Sequence, residues 1–152
     1  MGRRAAEGGF TLLELLVVLV IAGLLLAIVP PAAGRGSDTV RLRGAAQELA
    51  GSIALARSEA ILTNVDAAFA LDLAARRFGI AGQALAGRLD ADLRIAMTTA
   101  ASAVVGAGTG LIRFHPDGGS AGGELRIANR AGTMTVRVDW LTGRTRILRD
   151  PP

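Results

Sequence analysis

The chain has 152 residues, 51% of them hydrophobic, with 17 basic residues that are all arginine, 13 acids, one histidine and no cysteine. The absence of cysteine excludes disulfides, iron–sulfur clusters, thiolate zinc and cysteine catalysis, and a single histidine excludes a histidine-rich metal site. The net charge of +4 is modest, and the sequence pI near 11.3 follows from the lack of Lys, Cys and Tyr more than from a basic surface.

A mean hydropathy of +0.42 requires one segment with excess apolar weight, and it lies at the start. Residues 1–9 form a short polar leader with Arg3 and Arg4 against Glu7. Residues 10–29 follow, and 17 of these 20 are hydrophobic, the exceptions being Thr11, Glu14 and Gly23. At 1.5 Å per residue such a helix spans about 30 Å, the thickness of a hydrocarbon core. Arginines on its amino side predict a cytoplasmic leader, with everything after Pro31 on the opposite side. The run is too long for a secretory signal, and Pro30-Pro31 closes it in place of a small-residue cleavage site. Glu14 is anomalous, because an acid inside an apolar span is costly and is usually matched by a cation.

Pro30 and Pro31 remove two backbone donors and predict a kink or break, followed by a joint over residues 32–37. A second helical stretch is expected over residues 39–62. Leu42, Ala46, Leu49, Ile53, Ala56 and Ala60 recur there at spacings of three and four, an apolar stripe suited to packing on a sheet. Arg41, Arg43, Gln47, Glu48, Arg57 and Glu59 lie mainly off it, which reads as a solvated face.

After Asn64 the period changes to two. Candidate strands are residues 65–71, 76–80, 93–97, 111–115, 124–128, 133–140 and 144–148. Within residues 133–140, Met134, Val136, Val138 and Trp140 alternate with Thr135, Arg137 and Asp139. Asp117-Gly118-Gly119 and Thr142-Gly143 supply turn chemistry. Residues 98–110 are small and of low complexity, which predicts a mobile loop. The fold class expected is α+β, a long amino-terminal helix packed on an antiparallel sheet. Its divisions are a leader (1–9), an apolar helix (10–29), a helical continuation (30–62) and a β-rich domain (63–152).

Gly9-Phe10-Thr11-Leu12-Leu13-Glu14 before an uninterrupted apolar run resembles the processing motif of type IV pilins and type II secretion pseudopilins. The resemblance implies a type IV pilin-like fold, cleavage by a prepilin peptidase between Gly9 and Phe10, and methylation of the new terminus at Phe10. It makes Glu14 the fifth mature residue, the position that family reserves for glutamate, where it neutralises the ammonium of a neighbouring subunit during assembly. Ala56-Arg57-Ser58-Glu59-Ala60-Ile61, the run from Leu111 to Gly123 around Pro116-Asp117-Gly118-Gly119, and the run from Val138 to Ile147 resemble the GspH/FimT branch. Membership there implies a minor subunit in the inner membrane with a single span and a periplasmic domain. Its partners would be the peptidase, the major pseudopilin and other minor pseudopilins, in a periplasmic pseudopilus that drives protein secretion.

Other candidate sites point nowhere stronger. His115 reads as an outward strand residue, Asp90 and Asp92 as a polar loop, and Asp117 as a tight turn. The glycine run at residues 106–110 lacks the Gly-Lys-Ser/Thr of a phosphate loop. No nucleophile, base and acid share a recognisable context, so neither an enzyme nor a cofactor or metal is expected. Arg144 and Arg146 lie two residues apart on one strand, with Arg149 beyond them and Arg137 across the hairpin. This resembles the Gly-Arg-x-Arg pattern with which some FimT-like minor pilins bind DNA, and it supports a second reading, a FimT/FimU-like minor type IV pilin acting in pilus assembly or DNA uptake.

Overall fold

The computed structural model describes residues 11–99, 103–104 and 108–150, with residues 26–35 and 103–104 described as backbone only. The chain divides into two compact units, Met1–Gly36 and Ser37–Pro152. One helix, α1 (Leu12–Thr63), enters both. Its helical backbone continues through Pro30 and Pro31 and through residues 32–37, so the break expected there does not occur. A proline deletes one intrahelical bond and strains its neighbour, while the long helical runs on either side retain theirs. A kink at Pro30 and Pro31 stays an expectation of the sequence. The helix ends where Asn64 takes φ of 54°, a left-handed position that Asn tolerates better than most residues.

Among the described residues nine strands follow: β1 (Ala67–Asp72), β2 (Arg77–Ile80), β3 (Gly87–Arg88), β4 (Arg94–Thr99), β5 (Ala103–Val104), β6 (Thr109–Phe114), β7 (Gly123–Asn129), β8 (Gly132–Val138) and β9 (Thr145–Arg149). They build two antiparallel sheets where one was expected, in the orders β3-β2-β1-β6 and β5-β4-β7-β8-β9. All seven expected strands exist within a few residues of their predicted limits. The short pairings β3 and β5 were not legible, because two residues carry no period. The stretch 98–110, expected as a loop, instead ends β4, contains β5 and begins β6. Residues 100–102 and 105–107 of it lie outside the described residues.

The second half of α1 buries the stripe read from the sequence. Leu42 is 4% exposed, and Ala46, Leu49, Ile53, Ala56 and Ala60 are fully buried. Against it pack Phe69 and Leu71 of β1, Phe78 of β2, Met97 of β4, Ile112 and Phe114 of β6, Leu125 and Ile127 of β7, and Val136 and Val138 of β8. Both sheets thus contribute to one core, with the alanines letting the helix approach closely. In β6 the alternation is complete, with Gly110, Ile112 and Phe114 inward and Thr109, Leu111 and Arg113 outward. The alternation expected for residues 133–140 fails at both ends of its logic. Thr135 is buried, its hydroxyl satisfied by donating to Asp150 Oδ1 at 3.0 Å, and Trp140, beyond the end of β8 at Val138, is 69% exposed.

Candidate functional site

At the amino end, Gly9 and Phe10 lie outside the described residues. Glu14 occupies the first turn of α1, where its N–H reaches Thr11 Oγ1 at 3.3 Å and the Thr11 carbonyl at 3.1 Å. Thr11 is therefore the helix cap, and Thr11-x-x-Glu14 has the spacing of a capping box. The carboxylate also sits favourably at the positive end of the helix dipole. The sequence reading gave Glu14 a role between subunits and missed this local one, which the Thr–Glu spacing announces.

Residues 11–25 are exposed on every side although apolar on every side, from Leu12 at 84% to Val17 at 45%. A helix that is apolar all round is covered in its working state by lipid or by other helices. Among the described residues no helix is long and apolar enough to cross a membrane. The expected span 10–29 extends past the described side chains at both ends, since those stop at Leu25.

A second site gathers three distant pieces of sequence. Arg57, half-buried on α1, donates from Nε to the carbonyl of Gly118 at 3.0 Å. Gly118 has φ of 83° in a turn closed by its own N–H on the His115 carbonyl at 2.8 Å. Asp117 Oδ1 accepts the Gly119 N–H at 2.8 Å in the same turn. Gly143, with φ of 62°, lies against both: a Cβ there would collide with the Gly118 carbonyl oxygen and come within 2.9 Å of Arg57 Nε. Only glycine combines that backbone with that approach. Ser120 ties the two turns together, its N–H donating to the Trp140 carbonyl at 3.1 Å. Arg57 was expected on a solvated face; it is instead the clasp between helix and turns.

The turn before Gly143 is capped by Asp139. Its Oδ1 accepts the Thr142 N–H at 2.8 Å, the Thr142 hydroxyl at 2.8 Å and the Leu141 N–H at 3.1 Å. These donors, those of Thr142 foremost, hold its carboxyl below the ordinary Asp range, with Arg146 adding a smaller electrostatic pull.

The arginine cluster resolves into parts. Arg137 stands opposite Arg146 in the β8–β9 register, as expected across the hairpin. Its charge is already matched, however, because Glu124 Oε2 accepts from Arg137 Nε at 3.1 Å and Nη2 at 3.0 Å. Arg126 likewise faces Asp150 at 3.4 Å. Arg146 and Leu148 share a face with Arg137 and Thr135, whereas Arg149 pairs with Met134 and belongs to the opposite face. The single patch of Arg144, Arg146 and Arg149 expected from the sequence is therefore split across the sheet. Arg144 lies just before β9. Among the described residues, Arg144, Arg146 and Arg149 form no ion pair within 4 Å.

The remaining candidates are ordinary surface. His115 Nδ1 lies 3.1 Å from Asp66 Oδ1 with both side chains more than half exposed. Asp90 contributes its backbone carbonyl, which accepts from Arg76 Nη1 at 2.8 Å. Among the described residues no three His, Cys, Asp or Glu side chains gather as a metal site. A groove of about 490 Å³ between α1 and β2, lined by Leu55, Phe78 and Ile80, has Glu48 as its charged residue.

Residues 45–143 match the protein family described as type II transport protein GspH. The chain belongs to that family. The matched region begins on the buried stripe of α1 and ends at Gly143, so it contains the whole Arg57–Gly118–Gly143 clasp. Residues 4–30 match the prokaryotic N-terminal methylation motif, which spans Gly9, Phe10 and Glu14. The type II secretion system protein H of Xanthomonas campestris pv. campestris is 32% identical over 138 residues, covering 91% of this chain and 81% of that one. The minor pseudopilin EpsH of the Vibrio cholerae type 2 secretion system shares the fold with a TM-score of 0.54 at 16% identity, over 72% of this chain and 97% of that chain. The type IV minor pilin FimU of Pseudomonas aeruginosa does so with a TM-score of 0.51 at 19% identity, over 76% and 92%. The fold is thus that of pilin-like subunits, a long amino-terminal helix packed on antiparallel sheet.

Proposed function

We propose that the chain is a minor pseudopilin of a type II secretion system, a structural subunit and not a catalyst. The observation that carries the reading is membership of the GspH family together with a methylation motif at the start of a helix that is apolar on all sides. A prepilin peptidase cuts between Gly9 and Phe10 on the cytoplasmic side and Phe10 is methylated. The apolar helix holds the subunit in the inner membrane, with the β-rich domain in the periplasm. On assembly near the tip of the pseudopilus, the helix leaves lipid for a bundle of other pseudopilin helices. The methylated ammonium of one subunit meets Glu14 of another there, and that pairing fixes the register of the stack.

The relative from Xanthomonas campestris supports secretion over pilus function, because it matches most of both chains. The second reading, a FimT/FimU-like minor type IV pilin with DNA uptake, draws on the exposed Arg144 and Arg146. The neutralisation of Arg137 by Glu124 and the opposite facing of Arg149 weaken it. Deleting the gene and measuring both exported enzyme in the medium and surface piliation tests the two together. The secretion reading expects exported enzyme to fall, with recovery on complementation and unchanged piliation. Normal export with lost piliation or lost DNA uptake contradicts it.

A further inference from the structure

Strand β9 ends its sheet, and among the described residues no strand pairs with its outer edge. The Arg144 carbonyl accepts from Asp139, and the Asp150 N–H donates to the Thr133 carbonyl. By the alternation of an antiparallel ladder, Arg146 and Leu148 then bond into β8, while Thr145, Ile147 and Arg149 turn their N–H and C=O groups outward. Among the described residues nothing pairs with those groups. The side chains of residues 146–149 are exposed on both faces, with Ile147 at 38% and Leu148 at 39%. An open edge of this kind is a template for another strand.

Charge says which strand. Across the outer face one row runs Glu124, Arg137, Arg146, and the glutamate is engaged by Arg137 and lies 3.8 Å from Arg126. Arg146 therefore ends the row without a carboxylate within 4 Å, and Asp139, on which it exerts a small pull, is already held by Thr142 and Leu141. Arg149 ends the opposite face in the same condition. An added antiparallel strand would place an acid opposite Arg149, two apolar residues opposite Leu148 and Ile147, and an acid opposite Arg146. No two acids in this chain stand three residues apart, so a second copy lacks that quartet. Two β9 strands paired about Ile147 and Leu148 would also set arginine against arginine.

We infer that β9 is a docking edge for an extended segment of a different protein with the pattern acid–apolar–apolar–acid, bound by strand addition. The inference rests on β9 alone and stands or falls separately from the secretion reading.

The test uses the full-length protein in mild detergent and a short synthetic peptide with Glu-Ile-Val-Glu at its centre, carrying a fluorescent label whose anisotropy reads binding. The peptide should bind. Replacing both glutamates by lysine, or N-methylating alternate peptide amides, should each weaken it by about tenfold. The paired change Arg146→Glu with Arg149→Glu should reverse the preference toward the lysine peptide, which also demonstrates that the variant is folded. Binding that survives N-methylation, or an absence of peptide binding at about 1 mM, overturns the inference and leaves the arginines as guards against edge pairing. Binding of a single-stranded oligonucleotide in place of the peptide overturns it in favour of nucleic acid.

Discussion

Arg57 on the helix donates from Nε to the backbone carbonyl of Gly118 at 3.0 Å, joining positions 61 residues apart. Gly143 closes over that bond from the last hairpin, and the family match stops at Gly143 itself. The clasp ties the end of the helix to both turns, the second of which leads into β9.

Arg57→Ala should destabilise the protein by about 1–2 kcal/mol, because the carbonyl of buried Gly118 loses a charged donor. Gly143→Ala should cost about 1–3 kcal/mol from left-handed backbone and the collision with the Gly118 carbonyl. The two changes share one contact and should cost less together than their sum. Urea unfolding of the full-length protein in mild detergent measures all three.

Leu49→Ala should cost about 2–5 kcal/mol, since Leu49 is fully buried between α1 and the sheets. Leu55→Ala, at 58% exposure on the rim of the groove beside β2, should change stability by less than about 0.5 kcal/mol. Equal effects in the same unfolding assay would mean that the helix packs on another face.

How much of this was legible depends on the range of the interaction. The stripe from Leu42 to Ala60 reads correctly because a helix period is local and one face is buried. The strands of four residues or more read correctly for the same reason at period two. The clasp did not, since Arg57 looks like any polar helix residue until Gly118 is brought to it by both turns. The two-sheet division was hidden likewise, because β3 and β5 are pairings of two residues held by their neighbours. The Arg144, Arg146 and Arg149 cluster was misread as one patch, because residues three apart on a strand point to opposite faces and Glu124 had no visible link to Arg137. The Thr11–Glu14 cap was readable and was overshadowed by the resemblance at the same residues.

Asp139 should titrate below the ordinary Asp value of about 3.9, because Thr142 and Leu141 donate to its ionised form. A depressed folded pKa stabilises the hairpin above the unfolded value, and that contribution disappears as pH falls through the folded one. Stability should therefore begin to drop below about pH 4 at this group. Carboxyl NMR titration checks the midpoint, and Thr142→Ala should move it upward.

The proposed function gives Glu14 a role between subunits beside the local one at the cap, and the two are separable. Thr11→Val removes the cap hydroxyl, keeps the carboxylate, and should leave filament incorporation near normal, for about 1 kcal/mol of helix stability. Glu14→Ala should be cleaved normally yet fail to incorporate. Incorporation is measured by the share of subunit recovered in sheared pseudopili, and equal losses in both variants would assign the effect to the cap.

Assignment as a processed pseudopilin is tested most directly by the mass of the intact protein after expression with a prepilin peptidase. The mature chain should begin at methylated Phe10, and a substituted Gly9 should leave the chain uncleaved. A mature protein that retains residues 1–9, or one cut after Pro31 and released from the membrane, would contradict it.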